Sequence, residues 1–192
     1  TLHEIYLPAF RACVQKANVG AVMTAYNLVN GIHASEKNYL INEVLKGDWC
    51  FDGIVMSDWT STYNGVNCAR AGLDLEMPAG TYMHPDTLIP AIAAGELDES
   101  IINDKVRRIL GLYQRFGFFE NPDISQGFEL DEELVRNTAL QAARGGITLL
   151  KNQDNILPLK TGQPLKVAVI GINADPAITG GGGSSYTQPL HP

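Results

Sequence analysis

Apolar residues recur every three or four positions in several segments of this 192-residue chain, and this spacing is typical of amphipathic helices. The predicted helices cover about residues 1–17, 36–46, 65–71, 98–116 and 132–144. Pro8 marks either a kink in the first helix or its true start. Ser35 and Asp131 are expected to be N-caps, and Gly117 follows the fourth helix as its C-cap.

Short apolar runs alternate with these helices in the first half of the chain. The runs at 21–26, 53–58 and 73–77 are predicted to be strands. Ile54, Val55 and Met56 are consecutive and apolar, as in strands that are covered on both faces. Strands that alternate with helices through short connections indicate right-handed βα units and a parallel sheet. An Asn-Gly pair at 30–31 predicts a turn in the loop between them.

The predicted elements are less regularly spaced in the second half of the chain. Two more strands are predicted, at 147–152 and 166–171, and the segment 180–192 has no periodicity. The change of spacing places a domain boundary between Gly117 and Gly145, so we divide the chain into 1–117, 118–144 and 145–192.

Composition excludes several classes of function. The chain has 14 basic and 21 acidic residues, a net charge of −7, and no basic cluster longer than Arg107-Arg108. Nucleic acids and anionic membrane surfaces are therefore not expected partners, and no apolar run is long enough to span a bilayer. Cys13, Cys50 and Cys68 form neither a disulfide framework nor a metal-ligand spacing, so no metal or cofactor is predicted.

Three polar side chains follow neighbouring predicted strands. Tyr26 ends the first strand, Asp58 ends the second, and Glu76 lies near the end of the third. Functional groups of parallel α/β folds collect at these strand ends. The structural alternative for Asp58 is an N-cap of the helix that follows it. Trp59 either packs in the core or offers its face to the apolar side of a sugar ring.

Several ordered motifs carry a family resemblance. They are "LHEIYLPAFRACV" (2–14), "MTAYNLVNG" (23–31), "GIVMSDW" (53–59), "AGLDLEMP" (71–78) and "GGITLLKN" (145–152) followed by "KVAVIG" (166–171). With them the chain resembles glycoside hydrolase family 3, the β-glucosidase and β-xylosidase group. The resemblance implies an α/β fold: the C-terminal part of a TIM-type (β/α) barrel over 1–117, a linker over 118–144, and the start of an α/β sandwich domain over 145–192.

The resemblance also implies a chemistry. It makes Asp58 the nucleophile of a retaining glycosidase, Trp59 part of the glycone subsite, and Tyr26 a hydrogen-bond donor near the nucleophile. Met23, Glu76 and Ser184 are implied as further substrate-binding residues. The predicted substrate is a terminal β-glucosyl or β-xylosyl group of a small β-glucoside or an oligosaccharide, and a secreted or periplasmic location is expected for such an enzyme.

Two parts of the family's site have no counterpart in this sequence. Residues 145–192 contain no glutamate for the acid/base role, and the chain has no Lys-His pair for the sugar hydroxyls. We therefore expect an internal piece of a longer enzyme, whose partners are the enzyme's remaining parts. Its alternative is a non-catalytic fragment that works by complementation. Glu76 is expected to support the site rather than replace the acid/base.

The Gly-rich segment "GGGGSSYT" (180–187) raises a rival function, nucleotide binding. A dinucleotide fingerprint needs G-x-G-x-x-G directly after the strand and at the start of a helix. Gly171, at the end of the predicted strand, is a single glycine, and the next glycine is Gly180. A substrate-side loop is therefore the better interpretation of 180–187.

Overall fold

Three neighbouring parallel segments form the centre of the first part of the chain in the computed structural model. The strands are β1 (Ala21–Met23), β2 (Leu28–Val29), β3 (Ile32–His33) and β4 (Ile54–Met56). β1 pairs with β4 in parallel, and Met56 forms a parallel bridge to Leu75. The predicted parallel arrangement of three segments is confirmed, although 73–77 contributes a single bridge instead of a full strand.

The structure describes residues 1–123, 129–160, 162, 164–175, 178 and 180–186. The chain divides into two units, Thr1–Phe128 and Glu129–Pro192. No helix among the described residues is long and apolar enough to cross a bilayer.

Helices surround the parallel segments of the first unit. The α-helices are α1 (Leu7–Gln15), α2 (Gly65–Ala71), α3 (Pro85–Ala93) and α4 (Glu99–Arg115). The chain also forms π-helices at Leu2–Tyr6 and Tyr39–Asp48 and a 3-10 turn at Ala34–Glu36. Pro8 lies in the first turn of α1, where its missing N–H costs no hydrogen bond.

Several predicted helix ends are confirmed. Asp98 accepts a hydrogen bond from the Ser100 amide at 2.8 Å and begins α4, and Gly117 follows it with a left-handed φ of +70°. The prediction that Ser35 is an N-cap is wrong, because Ser35 caps no helix. Its buried hydroxyl instead donates to the carbonyl of Ser61 at 2.7 Å.

The sequence did not predict α3. Its helix pattern is interrupted by Pro85 and Pro90, which normally end helices. Pro85 is tolerated because it stands at the first helical position, and His84 Nδ1 accepts from the Asp86 amide at 3.2 Å as the N-cap.

The main core lies where β4 meets the π-helix Tyr39–Asp48 and α2. Its buried members are Val14, Ile41, Leu45, Phe51, Val55, Cys68 and Leu73. Val55 and Leu73 are completely buried, and burial of each such side chain stabilises the fold by about 1.5–3 kcal/mol. This packing fixes β4 and therefore the loop that follows it.

The second unit begins with α5 (Glu132–Gly146), and Asp131 accepts from the Leu134 amide at 2.9 Å as predicted. The strands predicted at 147–152 and 166–171 are wrong, since no described residue there is in a strand. Leu150 and Ile170 are 92% and 91% exposed. A strand is stable only with a paired neighbour and a covered apolar face, and the described residues provide neither.

Candidate active site

The Asp58 carboxylate lies in a tight turn two residues beyond the end of β4. Its Oδ1 accepts a hydrogen bond of 2.6 Å from the backbone amide of Trp59, and its carbonyl accepts from the amide of Ser61 at 3.2 Å. Asp58 is not the N-cap of α2. That helix begins at Gly65, and Asn64 Oδ1 accepts from the Asn67 amide at 3.0 Å. The side chain of Asp58 is half-buried and has no role in starting a helix.

The turn after Asp58 contains a strained residue. Thr60 has a φ of +62°, a left-handed conformation that is unfavourable for a β-branched side chain. Its amide donates to the carbonyl of Met77 at 3.0 Å. This hydrogen bond connects the turn to the segment that follows Leu75, the residue that bridges to β4. Backbone strain of this kind costs about 1–3 kcal/mol and is concentrated at functional sites.

Tyr26 approaches the same turn from a position three residues beyond the end of β1, which stops at Met23 instead of at the predicted residue 26. Its hydroxyl donates to the carbonyl of Trp59 at 2.6 Å, and that carbonyl also accepts from the Thr60 hydroxyl at 2.6 Å. The Asp58 carboxylate is a second acceptor near the phenol. Partial desolvation and the negative charge of Asp58 raise the pKa of Tyr26 above its usual value. The two side chains that the sequence predicted to meet are therefore neighbours, with the shortest bond going to the backbone.

Aromatic surface flanks the carboxylate. Trp59 is 62% exposed and Tyr26 is 51% exposed, so neither ring is packed in the core of the first unit. An exposed indole beside a carboxylate suits the apolar face of a sugar ring, while the carboxylate reaches its polar edge. The core-packing alternative for Trp59 is wrong for the first unit.

Glu76 has different neighbours from Asp58. It is buried, its Oε2 accepts from the amides of Tyr82 and Met83 at 3.0 and 2.6 Å, and its Oε1 accepts from Tyr82 at 3.1 Å. The strand register puts Glu76 in one row with Thr24 and Ser57, which are also buried. In the structure the Glu76 carboxylate therefore binds the backbone of the loop at Tyr82 and Met83. Its contact with substrate stays a prediction.

Met23 and Ser184 are the two remaining predicted substrate-binding residues. Met23 ends β1 and lines an apolar cavity of about 360 Å³ together with Tyr6, Phe10 and Trp49. Asp58 is not among the residues that line this cavity. Ser184 is exposed in a 3-10 turn, Gly183–Ser185, of the second unit, and its substrate contact stays a prediction.

Sequence reasoning missed an aromatic pair beside Tyr26. The rings of His33 and Tyr63 stack with centroids 3.7 Å apart, and His33 Nδ1 lies 3.4 Å from the carbonyl of Tyr26. The available signal was the Asn-Gly turn, which the structure confirms: Asn30 and Gly31 have φ of +50° and +79° and connect β2 to β3. The turn predicts a hairpin, but nothing local predicts that the hairpin carries His33 to Tyr63.

Metal binding has no support in the described part of the chain. There, no three histidine, cysteine, aspartate or glutamate side chains come together as a metal site. The groups that the site presents are a carboxylate, a phenol and an exposed indole.

Two stretches of the chain match models of one protein family. Residues 1–112 match the Glycosyl hydrolase family 3 N terminal domain, and residues 147–191 match the Glycosyl hydrolase family 3 C-terminal domain. The chain is 41% identical over 184 residues to a probable beta-glucosidase J of Emericella nidulans and 42% identical over 187 residues to a beta-glucosidase of Rhizobium radiobacter. Each match covers 96% of this chain but only 21% and 22% of the relative.

Solved structures agree with the sequence relatives. Beta-glucosidase 3B of Thermotoga neapolitana in complex with alpha-D-glucose superposes with a TM-score of 0.80 at 34% identity, and the match covers 98% of this chain and 27% of that one. A beta-glucosidase of Kluyveromyces marxianus in complex with glucose has a TM-score of 0.69 at 34% identity, over 83% of this chain and 20% of that one. The chain thus spans about a fifth to a quarter of the length of these relatives.

Proposed function

This chain belongs to glycosyl hydrolase family 3, and from that premise we propose that it supplies the nucleophile of a retaining, exo-acting β-glucosidase, Asp58. One observation carries the proposal. The Asp58 carboxylate stands at the carboxyl end of a buried parallel strand, is held by the Trp59 amide at 2.6 Å, and is flanked by the exposed rings of Trp59 and Tyr26.

The proposed mechanism follows from these contacts. A retaining glycosidase attacks the anomeric carbon with an ionised carboxylate, and a second carboxylic acid about 5–5.5 Å away protonates the departing oxygen. The Trp59 amide donates to Asp58 Oδ1 and holds the carboxylate in one orientation. Tyr26 donates to the carbonyl of Trp59, so it orients the turn that presents the carboxylate. The exposed indole of Trp59 offers a surface for the glucosyl ring.

The second carboxylic acid is proposed to come from another part of a longer enzyme. Within the first unit, Glu76 is bonded by two backbone amides and is not a free proton donor. The relatives that match this chain are four to five times longer, which leaves room for such a group. We propose that residues 1–117 form the closing part of a (β/α) barrel and that 145–192 begin the adjoining α/β domain.

The test traps the covalent intermediate. A 2-deoxy-2-fluoro-β-glucoside with a good leaving group forms the glycosyl-enzyme faster than it hydrolyses, because the electron-poor C2 slows both steps and the leaving group rescues the first. In the complete enzyme, peptide mapping is expected to find the label on Asp58. Asp58→Asn should remove the label and lower turnover by several orders of magnitude, since a neutral amide is a poor nucleophile.

The matched control is Asp52→Asn, which makes the same change at an exposed position six residues earlier. It should keep both the label and the activity. A label recovered on Asp74 or Glu76, with Asp58→Asn near the wild-type rate, would overturn the assignment.

A second experiment addresses the isolated chain. If the acid/base comes from elsewhere, the 192 residues alone should release no p-nitrophenol from aryl β-glucosides, and addition of the missing parts should restore activity. Aryl β-glucoside hydrolysis by the isolated chain would mean that it contains its own acid/base. A parallel assay with aryl β-xylosides distinguishes the β-xylosidase alternative.

A further inference from the structure

A second polar cavity of about 220 Å³ lies in the first unit, apart from the candidate active site. It is bounded by the π-helix Tyr39–Asp48, the end of α2 and the first turns of α4. Its polar lining includes Lys46, Arg70, Ser100, Asp104 and Lys105. None of these residues contacts Asp58, Tyr26 or Trp59, so the glucosidase proposal gives this cavity no role.

Lys105 is the unusual member of the cavity. It is only 5% exposed, although it carries an ammonium group. In the part of the chain that the structure describes, no carboxylate lies within ion-pair distance of it. Lysine is almost never fully buried unless it is paired, because an ammonium loses its hydration without compensation.

The two nearby carboxylates are already bonded to other groups. Asp74 Oδ1 accepts from Lys46 Nζ at 2.7 Å, and its Oδ2 accepts from the Val55 amide at 2.8 Å. Asp104 accepts from Arg108 Nε at 2.8 Å and also lies 3.6 Å from Arg107. Both carboxylates are therefore shared with other cations, and neither lies within ion-pair distance of Lys105.

The lining of the cavity carries more positive than negative charge. Lys46, Arg70 and Lys105 line it together with a single carboxylate, Asp104. Arg108 and Asp74 do not line it, but their charges act on Lys105. Desolvation lowers the pKa of Lys105 to about 8. The negative charges of Asp74 and Asp104 oppose this shift, and the positive charges of Lys46 and Arg108 add to it. A small anion in the cavity would relieve the same excess of charge.

We propose that this cavity binds a small inorganic oxyanion of the phosphate type, with Lys105 as the principal cation. The Arg70 guanidinium donates one hydrogen bond to the carbonyl of Glu96, at 2.5 Å, and has further N–H groups for a ligand. The Ser100 hydroxyl lines the same cavity and is a suitable donor. Asp104 also faces the cavity, and its pairing with Arg108 limits its repulsion of an anion.

The test is a calorimetric titration of the chain with inorganic phosphate at constant ionic strength, with sodium chloride as the screening control. The wild type should bind phosphate saturably at one site. Lys105→Met keeps the length of the side chain but removes the charge, and it should weaken binding by about tenfold or more, since a charge-assisted hydrogen bond is lost. Lys16→Met removes the same charge from an exposed position and should bind like the wild type.

A second measurement on the wild type does not depend on the folding of a variant. NMR of ¹³Cε-labelled lysine follows the titration of each ammonium group. The signal that titrates near pH 8 in phosphate-free buffer should titrate at a higher pH when phosphate is added, because a bound anion stabilises the ammonium. No shift, no saturable binding by the wild type, or equal affinity in Lys105→Met would each overturn the proposal.

Discussion

The hydroxyl of Tyr26 donates a hydrogen bond of 2.6 Å to the carbonyl of Trp59, the residue that follows Asp58. The same carbonyl accepts from the Thr60 hydroxyl, and Thr60 occupies a strained left-handed conformation. The phenol, three residues beyond the end of β1, thus contacts the turn that follows β4. This contact links the segments after two neighbouring parallel strands beside the proposed nucleophile, and we predict from it that Tyr26 positions the turn.

Tyr26→Phe should lower turnover in the complete enzyme while the fold is retained. The ring stays in place and one hydrogen bond is lost, a change of about 0.5–1.5 kcal/mol, or roughly two- to tenfold in kcat. Steady-state kinetics with an aryl β-glucoside measure the effect. Tyr113→Phe removes a phenol from an exposed position on α4 and is the control. Identical kinetics for Tyr26→Phe and the wild type across the pH range would show that Tyr26 only packs.

Glu76→Gln should destabilise the chain through the loop at 79–84. The carboxylate accepts from the amides of Tyr82 and Met83, and a neutral amide weakens these charge-assisted bonds at a cost of about 1–3 kcal/mol. Urea unfolding measures the stability, and limited proteolysis reports on the loop. Glu96→Gln makes the same change at an exposed position nearby. If Glu76→Gln left stability unchanged but abolished turnover, Glu76 would act on the substrate instead.

Asp74→Asn should be among the most destabilising single changes in the first unit. Its carboxylate is completely buried and pairs with Lys46, whose side chain is also buried. Loss of the negative charge leaves Lys46 unpaired next to Lys105, and removal of one partner of a buried ion pair costs about 3–5 kcal/mol.

The control for Asp74 is Asp104→Asn. Asp104 pairs with Arg108 at 2.8 Å, but its side chain is 45% exposed, and such pairs contribute about 1 kcal/mol or less. Denaturant unfolding of both variants compares a buried with a half-exposed ion pair. Equal losses of stability in the two variants would show that burial does not make the Asp74–Lys46 pair more stabilising than the half-exposed pair.

Stability should rise with pH between about 8 and 10.5 because of Lys105. Its pKa is about 8 in the folded chain and 10.5 when unperturbed, so in this window the unfolded state binds more protons than the folded state. The pKa of Lys46 is also lowered, by desolvation, which adds to the same trend. Below pH 8 the cost of burying the ammonium is fully present.

Lys105→Met isolates this contribution. The variant should be more stable than the wild type at pH 7 in phosphate-free buffer, and the difference should shrink as the pH approaches 10.5. Urea unfolding over this range measures both proteins. A difference that did not change with pH would mean that Lys105 is solvated in the folded chain.

The sequence by itself determined the order and type of most elements in the first unit. The pattern predicted a helix at 65–71, where α2 lies, and α4 within a residue of its ends, and Asp131 was predicted as the N-cap of α5, because an amphipathic stripe and a capping aspartate are local properties. Local signals also predicted the turn at Asn30-Gly31 and the parallel neighbours of β4. The position of Asp58 after a buried strand followed from the same pattern, as did its proximity to Tyr26.

The tertiary structure alone decided which polar groups meet. Ser35 has the residue type of an N-cap, yet it bonds to the carbonyl of Ser61, and Asn64 caps the helix that Asp58 was a candidate to cap. Glu76 and Asp58 are both carboxylates after strands, but strand register buries Glu76 against the amides of a distant loop and leaves Asp58 beside exposed rings. Lys105 gives no sequence signal, since its burial depends on how two helices approach α2. Propensity and periodicity act within a few residues of the chain, whereas these hydrogen bonds and desolvation costs depend on groups brought together from far apart.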